Sequence, residues 1–340
     1  MNDFIVIPQI NKSIIANIEN DVLKEIGEID IPYNSKSIIT KNNLVVTLCY
    51  DSNSMKIHNL QGDLILEQEN TNYKAINVKG NTVYLGGEYK DGLSRNFNNN
   101  GEMFSVINLE EIEFKINTID LPIKIIEGKS IDDILIKGNE LILVDNIVYP
   151  KYLIKYDISS PQNPTHLTTE SLPNNGTYEH IIKGDINDDW MIIYSSTVGG
   201  GGSSQHIIVT GKTIGHLYLH NSFHSFPNKD KTDKQVKEYT YKDIALIKNN
   251  LFILRTDGLG FVDLNNSISN KKFNPIETEL SNISRIIKSE SNKLLAINES
   301  GYELINNKPL TKYKSNGMNS DSTKEKYKNN FWSYLKSLWS

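Results

Sequence analysis

Six times along the chain a short apolar run, a tight polar turn and a second apolar run follow one another. They read IITKNNLVVTL, INVKGNTVYLG, ILIKGNELILV, IIKGDINDDWMIIY, ALIKNNLFILR and IIKSESNKLLAIN. The second runs begin near Leu44, Thr82, Glu140, Trp190, Leu251 and Leu294. Asn-Asn, Gly-Asn and Asp-Asp at the turns tolerate the positive φ of hairpins. The runs are rich in Ile, Val and Leu with little alternation, the pattern of strands buried on both faces. Two further strand-like stretches follow each turn, for example SMKIHNL and GDLILEQ after the first. Four strands every ~40 to 60 residues is one blade of a β-propeller. The N-terminal stretch adds three strand candidates, DFIVIPQ, KSIIANIE and LKEIGEIDIP. The pattern therefore predicts an all-β propeller over residues 1–310, of seven four-stranded blades with six as the alternative. One terminal segment is expected to complete a blade begun by the other.

Composition narrows the function. The 340 residues carry a net charge of −5 with only three arginines, Arg95, Arg255 and Arg285, and no basic stripe, which argues against nucleic-acid binding. The single Cys49 cannot form an internal disulfide and is expected as a buried, inert thiol. No run approaches 18 apolar residues, so no transmembrane segment is expected, and the acidic, unpunctuated start does not read as a signal peptide. The expectation is a cytoplasmic protein.

Two stretches carry a family resemblance. GNELILVDNIVYPKYLIKYDISSPQNPTHL resembles the LVIVD-type bacterial propeller repeat, with Asp157, Ser159, Pro161 and Pro164 at the motif positions. NNLFILRTDGLGFVDLNN looks like a degenerate copy that keeps Gly258, Gly260 and Asp263 and lacks the proline pair. The resemblance covers about two blades and implies the same architecture. It implies no shared catalytic chemistry.

The irregular segments are unevenly placed. Hairpins between the first two strands of a blade lie on one face of a propeller and are short throughout. The longest connections, KDGLSRNFNNNGE, STVGGGGSSQ and NSFHSFPNKDKTDKQVKE, belong to the other face. Long loops on a rigid scaffold are the usual carriers of binding residues. Arg95, Phe97, Tyr149, His224 and Phe226 are the side chains there best suited to anchor a partner, because aromatics and Arg dominate buried contacts. Residues 311–321 read as a linker and 322–340 as an amphipathic helix. Ser322 and Glu325 form its capping box, and Tyr327, Phe331, Tyr334, Leu335, Leu338 and Trp339 its apolar stripe. Trp332 and Trp339 are partner-binding candidates if the helix enters a partner's groove. Packing on the propeller or contact with a membrane surface are its other readings.

Other motifs fail on inspection. HIIVTGKT approaches a phosphate-binding loop, but His206 stands where glycine is needed and no helix follows, so the TGK is read as a turn. His216, His220 and His224 are four apart without an adjacent carboxylate or cysteine, and no metal site is assigned. DINDDW places Trp190 where a calcium loop needs glycine, and reads as a hairpin turn. No cofactor motif is legible. The chain is expected to be a non-enzymatic protein-binding module, one version being an immunity or inhibitor protein that caps a basic bacterial toxin domain. The alternative is a propeller hydrolase or lyase with its site at the central channel mouth.

Overall fold

Each apolar–turn–apolar repeat folds into its own antiparallel sheet, and seven such sheets follow one another around a ring. In a computed structural model the described residues are 3–10, 12–69, 71–87, 104–110, 114–119, 121–122, 130–146, 152–171, 179–199, 202–211, 216–224, 240–265, 273–299 and 301–305. All lie in one compact unit, Met1–Lys308.

The first sheet holds β1 (Phe4–Pro8), β2 (Ser13–Glu19) and β3 (Val22–Ile29). Five four-stranded sheets follow. The second comprises β4 (Lys36–Ile39), β5 (Val45–Cys49), β6 (Ser54–His58) and β7 (Leu64–Gln68); the third, β8 (Tyr73–Lys79), β9 (Thr82–Gly87), β10 (Phe104–Asn108) and β11 (Ile116–Thr118). The fourth is β12 (Ser130–Lys137), β13 (Glu140–Asn146), β14 (Tyr152–Asp157) and β15 (Thr165–Ser171). The fifth is β16 (Glu179–Ile186), β17 (Trp190–Gly199), β18 (Gly202–Gly211) and β19 (His216–His224). The sixth is β20 (Tyr241–Ile247), β21 (Asn250–Arg255), β22 (Gly258–Asp263) and β23 (Asn274–Pro275), and the seventh is β24 (Arg285–Lys288), β25 (Leu294–Asn298) and β26 (Gly301–Ile305).

Burial explains the unbroken apolar runs. The second strands β5, β9 and β25 are buried almost throughout, whereas outer strands such as β7 and β15 are largely exposed. There is no single central core. Seven apolar clusters each join successive sheets, from Val6, Ile15 and Val45 between the first and second to Ile5, Ile7, Leu295 and Ile297 between the seventh and first. Each fully buried Ile or Leu contributes about 1.5–3 kcal/mol. The turns behave as their residues dictate: Asn43, Gly80, Gly138 and Asn292 take positive φ at first hairpins.

The strand exchange expected at ring closure involves terminal segments that lie outside the described residues. The first and seventh sheets are separate and three-stranded, and among the described residues neither borrows a strand from the other. Among the described residues, packing and side-chain bonds join the two sheets at the seam. Asp3, 6% exposed, accepts bonds from the Ser291 N–H (3.1 Å) and from the Ser289 and Ser291 hydroxyls. Gln9 donates to the Gly301 carbonyl, and Lys293 pairs with Asp21. Where the first and second sheets meet, backbones touch. A Cβ at Gly62, which has φ +95°, would lie 1.9 Å from the Glu28 carbonyl oxygen.

Candidate functional site

The two faces of the ring are built differently. First-hairpin connections at 40–44, 80–81, 138–139, 187–189, 248–249 and 289–293 share one face. Neighbouring hairpins there are stitched together: Lys41 N–H donates to the Gly80 carbonyl and Asn42 N–H to Asn81 Oδ1. Lys137 Nζ reaches the Asp188 carbonyl, Asn187 Nδ2 the Lys248 carbonyl, and Trp190 Nε1 Asn249 Oδ1. The third-to-fourth-strand connections share this face. Several start with a side-chain cap: Asn59, Asn108, Asp157 and Asp263 each accept an N–H two residues on.

The opposite face receives the second-to-third-strand connections and the links between sheets. Here the fifth sheet departs from the others. Lys183 pairs with Tyr194 as Asp133 pairs with Val144 and Asp243 with Leu254, each just past a bulge. From that level β13 runs on to Asn146 and β21 to Arg255, but β17 continues to Gly199. It therefore outruns its counterparts by three to four residues, about 10–13 Å at ~3.3 Å per residue. β18 and β19 accompany it, with Gly199 opposite Gly202 and Gly202 opposite His224. STVGGGGSSQ is thus not a long loop, as its composition suggested. It is a ladder of strand pairs that reaches Gly199 opposite Gly202, and β19 extends the ribbon to three strands. His224, expected in a loop, is the last residue of β19.

The channel is the second candidate. The first strands β4, β8, β12, β16, β20 and β24 carry side chains that meet across it, even between non-adjacent sheets. Lys36 Nζ lies 2.7 Å from Asp133 Oδ1, joining the second and fourth sheets. Lys288 Nζ lies 2.6 Å from Asp185 Oδ1, joining the seventh and fifth. Lys183 Nζ lies 2.8 Å from Asp243 Oδ1 and also donates to the Ile286 carbonyl. Each carboxylate does a second task. Asp133 Oδ2 accepts Gly184 N–H (2.7 Å), Asp185 Oδ2 accepts Leu246 N–H (2.7 Å), and Asp243 Oδ2 accepts Ile286 N–H (2.8 Å). The other oxygen also takes the N–H of the following residue. Each aspartate therefore clamps its own strand to the next sheet, and Asn77 does likewise by donating to the Ile134 carbonyl. These acceptors are committed, which suits a clamp better than a general base.

Electrostatics at the channel mouth agree. Burial opposes the Lys36 charge, but Asp133 and Tyr50 outweigh it and the ammonium's pKa is raised. Burial pushes the Tyr50 phenol up, and its hydroxyl donates to the Lys74 carbonyl at 2.8 Å. Arg285 is different: it donates to the Tyr33 carbonyl at 3.0 Å, and no described carboxylate pairs with it.

Of the residues singled out in the sequence, Arg95 and Phe97 fall between β9 and β10 and Tyr149 between β13 and β14. Phe226 follows β19. These four, with Trp332, Trp339 and the helix read over 322–340, lie outside the described residues. The residues that sequence reasoning missed are the clamp aspartates and their lysines. Their partners lie 43 to 103 positions away, so no local spacing signals them. The DINDDW segment is a turn in which Asn187 Oδ1 accepts the Asp189 and Trp190 N–H groups.

No family model matches the chain, and no curated protein matches it in sequence. Solved structures of similar shape include the extracellular domain described as a hybrid two-component system, BT4673, from B. thetaiotaomicron. It is 14% identical with a TM-score of 0.50, over 89% of this chain and 40% of that one. A second structure of a BT4673 extracellular domain, described as a one-component system, gives 15% identity and a TM-score of 0.48 over 89% and 38%. Apo AztD from Citrobacter koseri gives 9% identity and a TM-score of 0.48 over 87% and 88%. This chain spans about two fifths of the BT4673 domains, and at such identity the likeness is one of fold.

Proposed function

We propose that the protein is a non-enzymatic protein-binding module whose partner meets the face from which the β17–β18–β19 ribbon extends. The ribbon carries this reading. The fifth sheet lengthens three strands together on one side, where β13 and β21 stop short. On the opposite face neighbouring hairpins are stitched to one another, and the channel carboxylates are committed to clamps. A surface intended for a partner keeps such groups available.

The specific version we favour is an inhibitor that caps a basic toxin domain inside the cell, where the net charge of −5 would hasten encounter. The test is co-expression with the product of the adjacent gene, followed by size-exclusion chromatography. A variant with the ribbon cut back by joining Ser195 to His206 through a two-residue Asn-Gly turn should lose the complex and keep its melting temperature within a few degrees. A complex formed equally well by the shortened variant would refute the ribbon's role. Co-elution without rescue of growth from a toxic partner would refute only the inhibitor version.

A further inference from the structure

Among the described residues the first sheet lacks a strand that the six other sheets possess. Direction shows which one. β1 starts beside the β24–β25 hairpin, through Asp3 and Ser291, and ends beside the β25–β26 connection, through Gln9 and Gly301. It therefore runs parallel to β25, a second strand, and packs on it through Ile5, Ile7, Leu295 and Ile297. β3 has the exposed pattern of an outer strand. The sequence agrees, since Asn2-Asp3 precedes FIVI as Asn42-Asn43 precedes LVVT. The first sheet thus supplies second, third and fourth strands, and the place of its inner strand adjoins β1.

That edge presents unpaired backbone. Ile18 N–H donates to the Asp3 carbonyl and Gln9 N–H to the Lys12 carbonyl, so 3, 5, 7 and 9 face β2. Phe4 and Val6 therefore turn their N–H and C=O groups away from β2, and among the described residues nothing pairs with them. Pro8, which has no N–H, suits an edge. Flanking the edge are Ile287 of β24, packed with Ile5 and Ile7, and Ile39 of β4, packed with Val6. At its mouth stand Tyr33 and Arg285.

We propose that this edge receives an extended strand from a partner protein, laid antiparallel to β1, with an acidic residue at its leading end followed by aliphatic residues. The ring contains worked examples of what fits. SIDDILIK and YKDIALIK fill the same place in the fourth and sixth sheets, each with an aspartate near the start. There Asp243 meets Lys183 of the preceding sheet. In the open place the preceding sheet is the seventh, and Arg285 is its cation, with no carboxylate partner among the described residues. Backbone pairing supplies the affinity and the acid the register. This surface is independent of the ribbon, and its failure leaves the ribbon's role untouched.

The probe is a synthetic peptide of sequence YKDIALIK, read by residue-resolved hydrogen exchange on the full chain. Without peptide, the Phe4 and Val6 amides should exchange at least ~100-fold faster than those of Ile5 and Ile7. Peptide should slow them saturably, and Arg285→Glu should weaken binding at least ~10-fold. A peptide with lysine for its aspartate should bind Arg285→Glu more tightly than the unaltered chain. Protection of Phe4 and Val6 before peptide is added would overturn the proposal, because the edge would already be covered. If that protection grew with protein concentration, the cover would be a second copy. No protection on adding peptide, or indifference to Arg285→Glu, would also overturn it.

Discussion

Replacing Asp133 with alanine should remove one clamp and expose what a clamp contributes. Its carboxylate is 5% exposed as a residue and makes three contacts: Lys36 Nζ at 2.7 Å, Gly184 N–H at 2.7 Å and Ile134 N–H at 3.0 Å. Alanine leaves an ammonium facing the channel without its partner, and two backbone donors unpaired. Removing one member of a buried pair costs about 3–5 kcal/mol. The orphaned N–H groups would add ~1–3 kcal/mol each if water could not reach them. Because the channel side of Lys36 is half-buried rather than sealed, water relieves part of this, and we expect ~3–4 kcal/mol in total. The assay is urea unfolding: the midpoint should fall with the slope unchanged, since the surface exposed on unfolding stays the same. Lys36→Met should cost less, and the double variant less than the sum, because Met leaves no stranded charge. A loss below ~1 kcal/mol for Asp133→Ala, or strict additivity with Lys36→Met, would refute the clamp.

Three further outcomes follow from the same geometry. Gly62→Ala should cost at least ~2 kcal/mol, read as a lower melting temperature, because positive φ and the Glu28 carbonyl both oppose a Cβ; Gly80→Ala, with φ +62° and open space, should cost only ~1 kcal/mol. Burial, then Lys56, holds the His58 pKa below the usual imidazole value. The unfolded chain therefore binds its proton more readily, so this contribution is complete above pH ~6.5 and lost on acidification, and His58→Gln should flatten the stability–pH slope there. Asp3→Ala should cost ~1–3 kcal/mol and raise hydrogen exchange first in β1 and β25, where the seam closes.

Much of the ring is legible in the sequence. Second strands expected near Leu44, Thr82, Glu140, Trp190, Leu251 and Leu294 begin at Val45, Thr82, Glu140, Trp190, Asn250 and Leu294. Turn residues with positive φ and unbroken aliphatic runs are local signals, and local signals survive folding. The seven-sheet ring follows from them. The side-chain bonds at the seam do not, because Asp3 finds Ser289 and Ser291 only once the ring has brought the first and seventh sheets together. Asp132 and Asp133 illustrate the same limit. A bulge between Ile131 and Asp133 interrupts the strand alternation, and it is this break, absent from any periodicity, that precedes the clamp residue. The glycine run misleads for a different reason: Gly199 and Gly202 have low strand propensity, yet they pair with each other, and Gly202 pairs also with His224.

The central claim is that a partner meets the ribbon face. Hydrogen exchange on the complex with the co-expressed partner tests it most directly. Protection should concentrate at Ser195–Gly199, Gly202–His206 and His220–His224. Protection confined to the stitched hairpins at 80–81, 138–139 and 248–249 would contradict it.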